Sequence, residues 1–332
     1  MRIGFFSDSY FPSLDGVTYT LKSWRERLEE RGHEVFIFYP GSPDYKPGEN
    51  EIPLPSVPNP FYRGYRIPLP WKVDVPELDV VHCHTPFTLG RLGARVANKQ
   101  SIPKIYTHHT PVEEYFEQNL KSRYLSNALA KAYIPLESRF LRGFDRVTTS
   151  TGDCNRGVET EKLPVGVDLE FFKPTEGFEL KEDFENPLIG YSGRISKEKN
   201  VSRIVENAEK MPGTVIIVGE GPLKKKIMRK APDKVIFKDF LPREQLPAYY
   251  SALDVFVTAS TGDTLGLSTL EANACGTPVV APDVHPFDKT IGEENGERFD
   301  LEGSMAEKVV TVLQGSYSCR EAVRRFSLEK TV

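Results

Sequence analysis

Short apolar runs alternate with helical patterns from the first residues onward. "RIGFFSD", "HEVFIFYP", "LDVVHCH", "KIYTHH" and "RVTTS" are rich in apolar and β-branched positions, as strands buried on both faces are. Between the first two lies "VTYTLKSWRERLEERG", helical in its spacing, with Gly32 where a left-handed residue closes a helix. The rhythm restarts after Pro187 with "PLIGYSG", "TVIIVGEG", "KVIFKDF", "LDVFVTAS" and "TPVVAPD". Strand–helix–strand alternation predicts parallel sheets between helix layers, so the expected fold class is α/β, with two doubly wound, Rossmann-like domains in tandem. The expected boundaries are an N-terminal domain at 1–166, a polar, proline-bounded linker at 167–187, a C-terminal domain at 188–315 and a short closing helix at 316–332. Open parallel sheets gather ligands at the carboxyl ends of their strands, which predicts a ligand held in a cleft between two such domains.

Two segments depart from this rhythm. "PLPSVPNPFYRGYRIPLPW", Pro53 to Trp71, combines six prolines with Phe61, Tyr62, Tyr65, Trp71, Arg63 and Arg66. That proline density forbids a helix and predicts an extended surface loop. Its aromatics beside arginine suit a membrane interface or a sugar platform, and equally suit packing of the loop on its own domain. "KSRYLSNALAKAYIPLESRFLRGFD" sets Leu125, Ala128, Leu129, Ala132, Tyr133, Leu136 and Phe140 on one helical face, with Lys121, Arg123, Lys131, Arg139 and Arg142 around it and a kink expected at Pro135. Most such helices turn their apolar face to a core; the competing reading is an interfacial helix on anionic lipid.

Length and charge narrow the field. The chain of 332 residues is long enough for two ordinary domains. Residues 1–165 hold 21 Lys+Arg against 20 Asp+Glu, and the remainder 22 against 27, so the halves carry +1 and −5. Neither has the basic excess of a nucleic-acid binder. No apolar run approaches the roughly 18 residues of a membrane span, and no signal-peptide pattern opens the chain, so a cytoplasmic protein is expected. Cys83, Cys154, Cys275 and Cys319 lie far apart without a CxxC pair, which points to reduced thiols.

The chemistry-bearing motifs sit at predicted strand ends. In "GYSGRISKEKN", Gly193 permits a close turn, and Arg194 and Lys199, five apart, can converge on one diphosphate. Alone, such cations are more often simply solvated. "IIVGEGP" brings Gly219 and Gly221 around Glu220, which suits close backbone approach to a ligand but reads first as a plain turn. The loop Asp239 to Pro242, including Leu241, offers amides to a nucleobase edge or is an ordinary connection. "TGDTLGLSTLEANACGTPVVAPD" is the most specific stretch: the amides of Thr264, Leu265, Gly266 and Leu267 head a helix, a ready anion site, and Glu271 within that helix can accept two ribose hydroxyls. Asp263 just before the helix reads as its N-cap, which requires no function. In the N-terminal half Gly16 marks the first strand–helix turn, without a GxGxxG pattern, which argues against a dehydrogenase. His82 and His84 leave one strand on a single face, while His108 and His109 split between faces. A metal cluster is conceivable there, but a histidine donating to a substrate hydroxyl fits better.

Together these motifs give the chain a resemblance to the family 4 retaining glycosyltransferases of GT-B fold, from residue 1 nearly to 332. The family's E-x7-E motif corresponds to Asp263 and Glu271, its GR…EK motif to Gly193, Arg194, Glu198 and Lys199, its glycine turn to Gly16, and a further segment to "HHTPVEEY". "FFSDSYFPSLDGVTYTLKSW", "PFYRGYRIPLP" and "THHTPVEEY" look most like members that glycosylate diacylglycerol and other membrane lipids. The resemblance implies a UDP- or GDP-hexose donor, with Arg194 and Lys199 on its diphosphate, Glu271 on the ribose, Leu241 by the base, Thr264 to Leu267 on phosphate and sugar, and Asp263 on sugar hydroxyls. It further implies His109 at the donor's reactive side and Tyr65, Arg66 and Tyr115 toward a lipid acceptor. Neither metal nor cofactor is implied, and the protein is expected at the inner face of the cell membrane, peripherally bound to an anionic surface. A nucleotide-sugar 2-epimerase on the same fold and a non-catalytic sugar-nucleotide binder are the alternatives. The chain departs from the family at Asp263, where glutamate is usual; at His108, where tyrosine is common; in the short stretch Ser150 to Leu163; and at "RRFSLEKTV", beyond which relatives continue in a helix.

Overall fold

The computed structural model describes residues 1–13, 15–60, 65–69, 73–109, 111, 113, 116, 123–150, 154–163, 165–177 and 184–331. The chain divides into two compact units, 1–165 and 166–331, each with its own apolar core.

In the first unit β1 (Arg2–Phe6), β2 (Glu34–Pro40), β3 (Glu51–Leu54), β6 (Val80–Cys83), β7 (Lys104–His108), β8 (Arg146–Thr149) and β9 (Glu161–Lys162) form a parallel sheet in the order β3-β2-β1-β6-β7-β8-β9. Phe6, Phe38, Val81, Cys83 and Tyr106 fill one side of it, with the Phe6 and Phe38 rings stacked at 4.3 Å. The helix Thr88–Gln100 lies tight against this layer: a Cβ on Gly93 would stand 2.7 Å from Cys83 Sγ and 2.8 Å from the Phe6 ring. The second unit repeats the plan with β10 (Leu188–Ser192), β11 (Thr214–Val218), β12 (Val235–Lys238), β13 (Val255–Val257), β14 (Val279–Pro282) and β15 (Gly296–Phe299), ordered β12-β11-β10-β13-β14-β15 and parallel throughout. Both sheets reverse their winding once, between β1 and β6 and between β10 and β13, which is the Rossmann strand order.

Two expectations need correction. The proline-rich segment is extended, but it is paired: β3 joins the main sheet, while β4 (Ser56–Pro58) and β5 (Arg66–Pro68) form an antiparallel hairpin. Phe61, Tyr62, Arg63 and Trp71 lie outside the described residues. The stretch read as a linker begins as part of the second unit, where Val167 bridges to Ser327, Phe172 is buried, and Arg320 donates to the carbonyls of Leu169 and Phe172 at 2.6 and 2.8 Å. The closing segment is a short helix, Cys319–Val323, followed by two 3-10 turns, anchored by buried Val323, Phe326 and Leu328.

The helix Arg123–Leu141 divides the apolar face its pattern predicts: Tyr133 and Phe140 are half-buried, Phe140 against the core of the first unit, while the other members lie outside that core. It runs on through Pro135, and it buries Ser126, Ala130, Glu137, Ser138 and Leu141. The stripe of Leu125, Ala128, Leu129, Ala132 and Leu136 faces solvent instead, Leu136 at 56% exposure, with Lys131, Arg139 and Arg142 also exposed. All four cysteines are free and buried. Among the described residues, no helix is long and apolar enough to cross a membrane.

Candidate functional site

The carboxyl ends of β10 and β13 flank the switch point of the second sheet, and both carry the chemistry-bearing residues. After β10, Gly193 adopts φ +151°, and Tyr191 donates from its hydroxyl to the Arg194 carbonyl at 2.9 Å, fixing the turn that presents exposed Arg194. Ile195 donates its N–H to the Glu220 carbonyl at 2.8 Å, and a Cβ on Gly219 would fall 1.9 Å from the Gly193 carbonyl oxygen. The glycines of "VGEG" therefore serve loop-to-loop packing behind the Gly193 turn. Glu220 pairs with Lys224 at 2.6 Å, which also reaches Asp239 at 2.7 Å.

Across the switch point, Thr261 donates its N–H to the Glu198 carbonyl at 3.0 Å, and Lys199 forms an ion pair with Asp263. Asp263 is thus no N-cap. The helix Leu267–Ala274 is capped by Gly266 in the left-handed conformation, without a side-chain cap bond. Thr269 and Leu270 donate their N–H groups to the Gly266 carbonyl at 3.0 and 3.3 Å, and the amides before them are those a helix cannot satisfy internally. Glu271 sits in that helix, partly buried, and accepts from the Tyr250 hydroxyl at 3.0 Å. Burial pushes its carboxyl up, opposed by the charge of Arg243 and the Tyr250 bond. Arg243 lies over the Phe171 and Phe172 rings at 4.9 and 5.5 Å. Leu241 is two residues before it in the loop after β12, partly exposed.

In the first unit the histidines sort as strand alternation requires. His82 and His84 share a face with ring centroids 4.1 Å apart, and His84 Nδ1 meets His109 Nε2 at 3.0 Å. Trp24 stacks on His82 at 5.6 Å, and Phe5 stands edge-on to both His82 and His84. Burial lowers His82 and His109 to about 3 and His84 well below its ordinary value, so all three are neutral imidazoles near pH 7. His108 points away from this group, toward Glu137.

Gly16 opens the helix Gly16–Glu30, whose N-cap Asp15 accepts from the Thr18 N–H at 2.8 Å and from the Tyr65 hydroxyl at 2.8 Å. Arg66 donates to the Ser56 hydroxyl at 2.7 Å and carbonyl at 2.8 Å, pinning the hairpin. Tyr115 lies outside the described residues. The fold thus brings Arg194, Lys199, Asp263, the Thr264–Leu267 turn and Glu271 to one sheet edge, and groups His109 with His82 and His84. Tyr250, Arg243 and Asp8 carry no motif. Asp8, at the end of β1, accepts from Thr85 Oγ1 at 2.5 Å and from the Leu89 N–H at 3.2 Å, capping a helix that begins 80 residues later without a side-chain cap of its own. Burial raises Asp8 to about 6.

Residues 14–164 match the glycosyltransferase family 4 model, and residues 172–326 match the model of the glycosyl transferases group 1. The chain is 32% identical to the alpha-monoglucosyldiacylglycerol synthase of Streptococcus pneumoniae, over 93% of this chain and 78% of that protein. It is 30% identical to the protein of the same name from Acholeplasma laidlawii, over 95% and 88%. Among solved structures, sucrose-phosphate synthase from Thermosynechococcus elongatus superposes with a TM-score of 0.77 at 20% identity, covering 99% of this chain and 96% of that one. Anabaena HepE in complex with UDP superposes at 0.71 and 18% identity, covering 100% and 97%.

Proposed function

The chain belongs to glycosyltransferase family 4, and on that premise we propose that it transfers a hexose from UDP- or GDP-hexose to a hydroxyl of a membrane lipid of the diacylglycerol or phospholipid class. The observation that carries the reading is the Lys199–Asp263 ion pair at the β10/β13 switch point, between the Arg194 turn and the helix that bears Glu271. Without ligand the pair compensates both charges. A sugar diphosphate offers each a better role: the ammonium and the Arg194 guanidinium take the diphosphate, and the Asp263 carboxylate is released to sugar hydroxyls. The amides of Thr264 to Leu267 add helix-start dipole to the phosphate. Glu271, already oriented by Tyr250, accepts the ribose hydroxyls, and Leu241 lies by the base.

Transfer proceeds with retention, on the front face of the donor. The bond from the anomeric carbon to the departing phosphate oxygen breaks as the bond to the acceptor oxygen forms on the same side, and that phosphate oxygen takes the acceptor's proton. The protein's task is placement and stabilisation of charge on the leaving diphosphate, by Arg194, Lys199 and the helix start, so no divalent cation is required. His109, a neutral imidazole, is assigned to a hydrogen bond at the donor's reactive side, and Tyr65, Arg66 and Tyr115 to the acceptor. The exposed apolar stripe of Arg123–Leu141, flanked by Lys131, Arg139 and Arg142, supports a peripheral seat on anionic lipid at the inner face of the cell membrane.

The test is incubation with UDP- and GDP-hexoses and diacylglycerol in phosphatidylglycerol vesicles, with and without EDTA. The expected product is one glycolipid with the donor's anomeric configuration, formed at the same rate in EDTA. Absence of both glycolipid and donor hydrolysis across the panel would overturn the reading.

A further inference from the structure

The first unit buries one strongly charged array outside the residues assigned above. Alternation at the end of β7 sends His109 toward His84 and His108 to the other side. There His108 Nε2 faces Glu137 Oε1 at 3.5 Å, on the buried side of the helix Arg123–Leu141. The other oxygen of Glu137 accepts from Arg156 Nε at 2.5 Å; Arg156 also donates to the Glu113 carboxylate and, at 3.3 Å, to the Cys154 carbonyl. Glu137 has 0% side-chain exposure and Arg156 3%. Burial pushes the Glu137 carboxyl up, but His108 and Arg156 outweigh it and hold the group below the usual carboxylate range.

Packing alone does not require this arrangement. A buried ion pair adds little stability over apolar side chains of the same volume; what it does supply is one fixed orientation of its members. The array joins His108 at the end of β7 and Glu113 shortly after it to the helix bearing Glu137 and the loop at Arg156. His108 Nε2 and Glu137 Oε1 have no hydrogen-bond partner among the described residues, and they face each other.

We propose that Glu137, held by Arg156, is a positioning residue for hexosyl transfer: it fixes the His108 ring and, through the 108–109 peptide, the imidazole of His109 against His84. This rests on the assignment of His109 to the donor sugar. Misplacing a group near the reaction by about 1 Å costs up to about a hundredfold in rate. Glu137→Gln should therefore lower kcat at least about tenfold with donor KM within about twofold, and should add no further loss in a His109→Ala background. The pair Glu137→Leu with Arg156→Leu replaces the array by apolar volume and leaves the partly exposed Glu113 solvated. It should melt no lower than the parent protein yet show the same loss of kcat. A folded double variant with unchanged kcat would mean the array is only structural, and the proposal falls. Independently of turnover, imidazole 15N shifts of His84 and His109 should move in Glu137→Gln; unmoved shifts also overturn it. Shifts that move while even the parent protein makes no glycolipid would count against the proposed reaction, and not against the hold of Glu137 on His109.

Discussion

At the scale of single residues, the proposed donor site depends on groups that already have partners. Lys199 and Asp263 neutralise one another, and Tyr250 orients Glu271. Glu271→Gln leaves the shape and removes the charge that two ribose hydroxyls would bind. A hydrogen bond to a charged group contributes about 1.5–3 kcal/mol, so nucleotide affinity should weaken about tenfold or more by calorimetry. Equal affinity would remove Glu271 from the ribose. Gly219→Ala tests the backbone behind the site. At φ +140° its methyl would meet the Gly193 carbonyl at 1.9 Å, so the change should destabilise the second unit by more than about 2 kcal/mol in urea unfolding and weaken nucleotide binding with it. Both glycines are plain in the sequence, but their contact is not, because 26 residues separate two loops that only parallel strands β10 and β11 bring together.

At the scale of elements, the helix Arg123–Leu141 shows where sequence periodicity stops. Its apolar face reads clearly, but periodicity is silent on whether that face meets a core or a different apolar medium. Glu137 decides it: the residue is buried because Arg156 and His108 need it, and that turns Leu125, Leu129 and Leu136 outward. Leu129→Ser and Leu136→Ser should therefore leave the melting temperature nearly unchanged while weakening binding to anionic vesicles. Each buried leucine is worth about 1.5–3 kcal/mol, so a loss of about tenfold or more per change is expected in a vesicle sedimentation assay. Unaltered vesicle binding would remove the stripe from the membrane contact. The strands were far more legible than this helix, because runs such as "VFIFYP" and "TVIIV" are too continuously apolar for anything but a sheet covered on both faces. The β4–β5 hairpin was hidden by prolines that suggest a loop, and only its edge position tolerates them.

At the scale of the whole molecule, two separate cores predict separable behaviour. Residues 166–331 expressed alone should fold and bind UDP or GDP, whereas 1–165 should bind neither, as thermal shift would record. Trp24 is buried in the first unit, so its fluorescence follows the unfolding of that unit. The unit's three neutral histidines set the acid response. Their folded pKa values are depressed, so the unfolded chain alone takes up protons below about 6.5, and stability is lost as pH falls from there toward 3. Asp8 acts oppositely, since at about 6 it is protonated in the folded state before its ordinary value of 3.8. The three histidines outnumber Asp8 and Glu271, whose carboxyls are both raised, so unfolding takes up net protons near pH 5 and the urea midpoint should fall as the pH is lowered. A pH-independent urea midpoint between pH 6 and 4 would contradict the buried trio. The four enclosed cysteines have a practical corollary. Burial raises the thiols of Cys83, Cys275 and Cys319, the last two to about 12 and 11, so maleimides at neutral pH find little thiolate to attack. A single cysteine introduced at Leu136 would then be the preferred labelling site in an otherwise native chain, and an environment-sensitive fluorophore there would report directly whether that stripe enters lipid.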